Sequence, residues 1–85
     1  MAQVTIYTRA FCPFCSRAMS LLKKKGVEMT HIDAGMDAKK KAEMIQKAGG
    51  ARTFPQIFVG ELHIGGCDEM MALERAGKLD QLLTA

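Results

Sequence analysis

The 85-residue chain has no tryptophan, one tyrosine, four phenylalanines and only three cysteines. Scarce aromatics remove the stacking surfaces on which RNA readers rely, so Lys23-Lys24-Lys25 and Lys39-Lys40-Lys41 read as solvated helix faces and no nucleic-acid partner is expected. An odd and low cysteine count is unlike the dense, even framework of small secreted domains. In a reducing compartment, a close cysteine pair is catalytic or metal-binding before it is a structural staple. No apolar run is long enough to cross a bilayer. The start, Met1-Ala2-Gln3-Val4-Thr5-Ile6-Tyr7, lacks the basic and apolar regions of a signal peptide, so the expected address is the cytoplasm, with no membrane partner. Acidic side chains are absent from positions 2 through 27, and the net charge is a mild +3, which suits attraction of a small acidic substrate.

What is present is an ordinary globular balance, 48% apolar and 25% charged residues. The length allows a single domain, residues 1–85, burying roughly 60 to 65% of its unfolded surface. Val4-Thr5-Ile6-Tyr7-Thr8 is β-branched and aromatic and reads as a first strand. From Pro13, apolar residues at Phe14, Ala18, Leu21 and Leu22 keep the spacing of one helix face, and Gly26 is a stop signal. Proline suits the first helical position, where its missing N–H would have had no intrahelical partner. Glu28 to Ile32 reads as a second strand. Asp37 caps a second helix with Ala38, Ala42, Ile45 and Ala48 on one face, ended by Gly49-Gly50. Gln56 to Val59 and Leu62 to Ile64 flank Gly60-Glu61 as an antiparallel hairpin. Asp68 to Ala76 reads as a third helix closed by Gly77, and Leu79, Leu82 and Leu83 as a short helical segment packing back. The fold class is therefore α/β, a four-stranded mixed sheet flanked by three helices plus a short C-terminal helical segment. Met36, Met44, Met70 and Met71 read as core filling or groove lining, and His31 and His63 as strand surface residues.

Chemistry concentrates in Phe11-Cys12-Pro13-Phe14-Cys15, placed where the first strand meets the first helix. A cysteine just ahead of a helix faces unpaired N–H groups and the positive end of the dipole, so its thiolate is favoured. Cys12 has that position, and Arg9 and Arg17 bracket it with positive charge. Cys15, one turn on, can close a small disulfide with Cys12 and is set deeper. A structural zinc site needs four ligands, usually in two paired clusters; only Cys67, His63 and His31 could complete one and no second CxxC exists, so no metal is expected.

Three segments in order resemble a dithiol glutaredoxin of the small bacterial type, a family of the thioredoxin superfamily: Phe11 to Cys15 after a strand, Arg52-Thr53-Phe54-Pro55-Gln56-Ile57-Phe58 before a hairpin, and Gly65-Gly66-Cys67-Asp68 opening the last helix. The resemblance covers nearly the whole chain and implies a thioredoxin fold. It implies Cys12 as the nucleophile that takes up glutathione and Cys15 as the resolving cysteine. Arg9, at a position that is often lysine in the family, would meet the glycine carboxylate of glutathione. Phe14 stands where tyrosine is usual, which keeps apolar contact and loses a hydroxyl. Arg52, Thr53, Phe54 and Pro55 match the family's segment with a cis proline, where backbone groups of Phe54 would pair with the cysteinyl part of glutathione. Gly66, Cys67 and Asp68 match the patch for its γ-glutamyl end, as helix N-termini bind anions generally.

The expected function is glutathione-dependent reduction of protein disulfides and protein–glutathione mixed disulfides, with glutathione as reducing co-substrate and no bound cofactor. Expected partners are glutathionylated or disulfide-containing proteins, such as a reductase enzyme needing dithiol reduction, met by a monomer. Two other functions stand beside it: a thioredoxin-like reductant served by a flavoenzyme reductase, and a glutathione-assisted iron–sulfur cluster carrier.

Overall fold

The structure, a computed structural model, describes residues 3–84; Met1 and Ala2, used above in reading the N-terminus, lie outside the described residues. Its elements run β1 (Val4–Thr8), α1 (Pro13–Lys24), β2 (Met29–Asp33), α2 (Ala38–Lys47), β3 (Gln56–Val59), β4 (Leu62–Gly65), α3 (Cys67–Arg75) and α4 (Leu79–Thr84). The sheet order is β2-β1-β3-β4. β1 pairs parallel with β2 and antiparallel with β3, so Tyr7 stands between Ile32 and Gln56. A parallel pair needs a long crossover, and α1 supplies it. β3 and β4 form the antiparallel hairpin. This is the mixed sheet with helices that the sequence predicts.

Central placement makes β1 bury both of its faces, and its alternation sorts two cores. Val4 and Ile6 join Ala18 and Leu22 of α1, Ile57 and Val59 of β3, Met70 of α3, and Leu79 and Leu83 of α4. Tyr7 and Phe58 point the other way, toward Ala34, Met44 and Ala48. The Tyr7 ring meets Phe58 edge-on at 5.7 Å, and its hydroxyl donates to Glu43 Oε2 at 2.7 Å. Burial, followed by the hydrogen bond and charge of Glu43, pushes the Tyr7 phenol up from 10.0 to about 12. A phenol held protonated in the fold stabilises it fully below its unfolded value near 10, and that contribution is lost as pH rises toward about 12. At the far end of α1, Lys25 Nζ lies 2.8 Å from both Glu74 Oε1 and Asp80 Oδ1, joining the three helices of the larger core.

The second helix departs from the expected face. Asp37 caps it as predicted, its Oδ1 accepting from the Lys39 and Lys40 N–H groups. Ala38 and Ala42 are exposed, however, while the expected Ile45 and Ala48 do pack inward, together with Met44. Tyr7 and Phe58 cover this face of the sheet, and a long flexible methionine at position 44 joins their cluster while the helix's first turn stays exposed. Met36, expected in a core or groove, is 97% exposed. It sits in the β2–α2 loop beside Gly35, whose backbone crosses Arg9 so closely that a Cβ there would lie 2.6 Å from Arg9 Cβ. β2 runs one residue later than expected, because the β1 ladder carries on to pair Thr8 with Asp33.

Candidate active site

β1 ends at Thr8, and a turn through Ala10 and Phe11 delivers the chain to α1. Phe11 takes a left-handed backbone with φ 56°. Cys12 then adopts an extended conformation as the N-cap, with Pro13 at the first helical position. The Cys15 N–H donates to Cys12 Sγ at 3.2 Å, so this sulfur performs the capping that a serine or aspartate oxygen performs elsewhere. Cys12 and Cys15 are paired as a disulfide with their Cα atoms 5.2 Å apart. The first turn of α1 holds no acidic residue. Once reduced, a sulfur at this position faces N–H donors and the helix dipole with no opposing carboxylate in the turn, which favours the thiolate. Whole-residue exposure separates the two cysteines little, 6% for Cys12 and 3% for Cys15. Their difference lies in hydrogen bonding: the Cys12 sulfur receives the helix donor.

Two depressions flank the pair. One of about 550 Å³ contains Cys12 and Cys15 with Arg9, Phe11, Met19 and His31 on its walls. Arg9 is exposed there, its Nη1 donating to the Ala10 carbonyl at 3.2 Å. His31 belongs to β2 and reaches this site only because β2 lies parallel beside β1; its Nε2 is hydrogen-bonded to the Thr8 hydroxyl.

The other depression, about 320 Å³, gathers Phe14 from α1, Thr53, Phe54 and Pro55 from the α2–β3 loop, and Gly66, Cys67 and Asp68 from the start of α3. Seven of the residues singled out in the sequence are thus brought together. Arg9 stands in the first depression instead, and Arg52, exposed, lines neither. The Phe54–Pro55 bond is cis. The β3 ladder begins at Gln56, so Phe54 lies outside it. Gln56, 2% exposed, holds the loop: its Nε2 donates to the Thr53 carbonyl at 2.9 Å and to Thr53 Oγ1 at 3.1 Å. His63, half-buried rather than on the surface as expected, is hydrogen-bonded to Gln56 Oε1 at 2.6 Å. At α3, the Gly66 N–H donates to Glu69 Oε1 at 2.6 Å. A side chain at Gly66 would press on the Pro55 carbonyl at 3.2 Å, so glycine lets the helix start approach the cis-proline loop. Arg17 caps the Phe14 ring, with Cζ 5.8 Å from its centroid.

Cys67 is a buried free thiol. Burial pushes it up, Arg17 pulls it down, and the charges of Asp68 and Glu69 push it up again, with a net rise above the ordinary 9.0. It stays a thiol at neutral pH and belongs to the larger core, whose cluster also holds Ala18 and Met70. A third cavity of about 310 Å³, lined by Tyr7, Phe58 and Lys47 on the α2 face, holds neither member of the pair.

Sequence reasoning missed Phe11 and His31 as walls beside Cys12, and Gln56 and Glu69 as supports of the cis-proline loop and the α3 start. Phe11 had adjacency to Cys12 as a signal. Glu69, three residues after Gly66, fits the spacing of a helix-start carboxylate. His31 and Gln56 carry no local signal, since strand pairing brings them in.

A family model described as Glutaredoxin matches residues 4–64. A glutaredoxin of Pseudomonas aeruginosa is 53% identical over 85 residues, covering 100% of both chains. Among solved structures, the glutaredoxin of Brucella melitensis aligns with a TM-score of 0.84 at 53% identity, covering 98% of this chain and 89% of that one. A buckwheat glutaredoxin–glutathione complex aligns with a TM-score of 0.84 at 33% identity, covering 95% of this chain and 76% of that one.

Proposed function

This chain belongs to the glutaredoxin family and is a thiol–disulfide oxidoreductase, and from that premise we propose that glutathione is its reducing co-substrate, with Cys12 as nucleophile and Cys15 as resolving thiol. The observation that carries the reading is the Cys12 sulfur capping α1 through the Cys15 N–H in an acid-free first turn. In the monothiol route, the Cys12 thiolate attacks the glutathione sulfur of a protein–glutathione mixed disulfide. The protein leaves as its thiol, and a second glutathione thiolate frees Cys12, leaving oxidised glutathione. In the dithiol route, Cys12 forms a mixed disulfide with the target protein, and Cys15 displaces the target as the Cys12–Cys15 disulfide closes. Two glutathione molecules then reduce that disulfide and are joined to each other. Each step is thiolate exchange, so it follows the thiolate fraction and access of the attacking sulfur.

The second depression suits the tripeptide. Phe54, outside the ladder, offers backbone groups to its cysteinyl unit. The α3 start and Asp68 suit the carboxylate and ammonium of its γ-glutamyl end. Arg9 is left for the glycine carboxylate, which must then turn across Cys12 to reach the first depression. The buckwheat complex with glutathione supports the same assignment by likeness. In this reading residues 1–85 act as one domain, a monomer in a reducing cytoplasm that keeps the dithiol available to disulfide-containing and glutathionylated proteins. No helix among the described residues is long and apolar enough to cross a membrane.

The test is turnover coupled to glutathione and its reductase. Cys12→Ser should lose activity by at least about a thousandfold on every substrate. Cys15→Ser should keep reduction of glutathione mixed disulfides and lose reduction of protein disulfides. Equal loss in the two variants would overturn the roles, and wild-type turnover that is independent of glutathione would overturn the co-substrate.

A further inference from the structure

Phe11 is expensive where it stands. Phe11 is 97% exposed, and its backbone has φ 56°, a left-handed conformation unfavourable for a bulky L-residue. The turn into α1 explains the backbone and leaves the side chain unexplained. Glycine would adopt this conformation freely and asparagine at little cost. At 97% exposure the ring contributes almost nothing to either core, so no packing offsets the strain. What distinguishes the position is its neighbour: Phe11 immediately precedes Cys12 and lines the same depression, together with partly buried Met19 and the flank of Pro13. Most of the residues assigned to glutathione line the other depression, and of this one only Arg9 is assigned to it. The side of Cys12 walled by Phe11, Pro13 and Met19 therefore leaves room beside Arg9 for the polypeptide that carries the disulfide under attack.

We propose that Phe11 is a specificity-determining residue, contacting an aliphatic or aromatic side chain next to the target cysteine and so selecting disulfides in apolar surroundings. The inference rests on disulfide exchange at Cys12 and not on glutathione as reductant, so the experiment leaves glutathione out. Pre-reduced protein is mixed with a disulfide-linked peptide dimer in a single turnover. The Cys12 thiolate attacks one peptide sulfur and the first peptide departs as a thiol. Cys15 then displaces the second, and two electrons have passed from the dithiol to the substrate. Two uncharged peptides are compared, identical except for leucine or serine beside the cysteine, with 2-hydroxyethyl disulfide as a substrate that has no side chain to offer.

Wild type should oxidise about tenfold faster with the leucine peptide, equivalent to about 1.4 kcal/mol of transition-state contact. Phe11→Ala should bring that ratio within about twofold of unity, while the rate with 2-hydroxyethyl disulfide changes less than about twofold. Phe11→Asn, suited to the left-handed backbone, should lose the preference equally while unfolding at the same temperature as wild type or a higher one. Equal wild-type rates on the two peptides, a ratio that survives both substitutions, or the same slowing on all three disulfides would each overturn the proposal.

Discussion

Two helices of this protein begin at a cysteine, and they treat it in opposite ways. Cys12 is the N-cap of α1, its sulfur accepts a helix N–H, and no acid stands in the first turn. Cys67 is the first residue of α3, with Asp68 and Glu69 directly behind it. Both sit at the positive end of a helix dipole. At α3, Glu69 has taken the Gly66 N–H for itself, and burial and the two carboxylates push the Cys67 thiol up. The lesson is that a helix N-terminus does not by itself activate a thiol. A sulfur aimed at the free donors, with the first turn kept clear of competing anions, does so. The acidic turn is then free for the other task a helix start can perform, holding a ligand that carries both an anion and a cation.

That contrast can be broken by alkylation of the reduced protein at neutral pH. Cys12 should react at least about tenfold faster than Cys67, because its sulfur receives a helix donor in an acid-free turn while burial and two carboxylates hold Cys67 as a thiol. Cys67 should label appreciably only as pH climbs past the ordinary thiol value, because its raised pKa delays the thiolate. Cys67→Ser should leave turnover within about twofold of wild type, as befits a residue that packs rather than reacts. Comparable labelling of the two at pH 7 would erase the distinction.

A smaller effect comes from making α1 resemble α3. Ser16 is exposed in the first turns of α1, and Ser16→Asp places a carboxylate near the Cys12 sulfur. A dipole-scale electrostatic penalty of about 0.7 kcal/mol predicts a fall of about threefold in the Cys12 alkylation rate, diminishing in high salt. An unchanged rate would show that the acid-free turn is incidental. The mildest change is the converse one. Asp68→Asn should raise KM for glutathione by about twofold, modest because this carboxylate is exposed. It should also move the Cys67 thiol back toward its ordinary value, since the Asp68 charge is one of the causes of its rise. A shift in Cys67 labelling without a change in KM would remove Asp68 from the proposed glutathione site while leaving the electrostatic comparison intact.

Much of this architecture was legible one residue at a time. Pro13 marked the start of α1, Asp37 the start of α2, Gly60-Glu61 the hairpin, and β-branched Val4 to Thr8 the first strand. Such signals are local, because a proline ring or a capping carboxylate acts on backbone groups within a turn of itself. The misreadings were all matters of what lies opposite. Ala38 and Ala42 had helical spacing but no partner surface, since Tyr7 and Phe58 occupy the sheet beneath α2. Met36 looked like core until its loop was seen to be set beside Arg9 by Gly35. The resemblance named Thr53, Phe54 and Pro55, yet nothing in their sequence showed that buried Gln56 would anchor the loop and that His63 would bond to Gln56 in turn.

The sequence by itself determined where a reactive thiol would be found: a strand running into cysteine and proline, basic residues on both sides, and no acid before Glu28 are facts of covalent order and short-range charge. Tertiary structure decided what that thiol faces. Parallel pairing of β1 with β2 brings His31 to the wall beside Cys12. The approach of α3 to the cis-proline loop, allowed by Gly66, builds a second depression next to Phe14 from residues some forty to fifty positions away. Contacts over such separations form only when burial of the two cores compensates the entropy of closing the intervening chain, so no local pattern in the sequence can announce them.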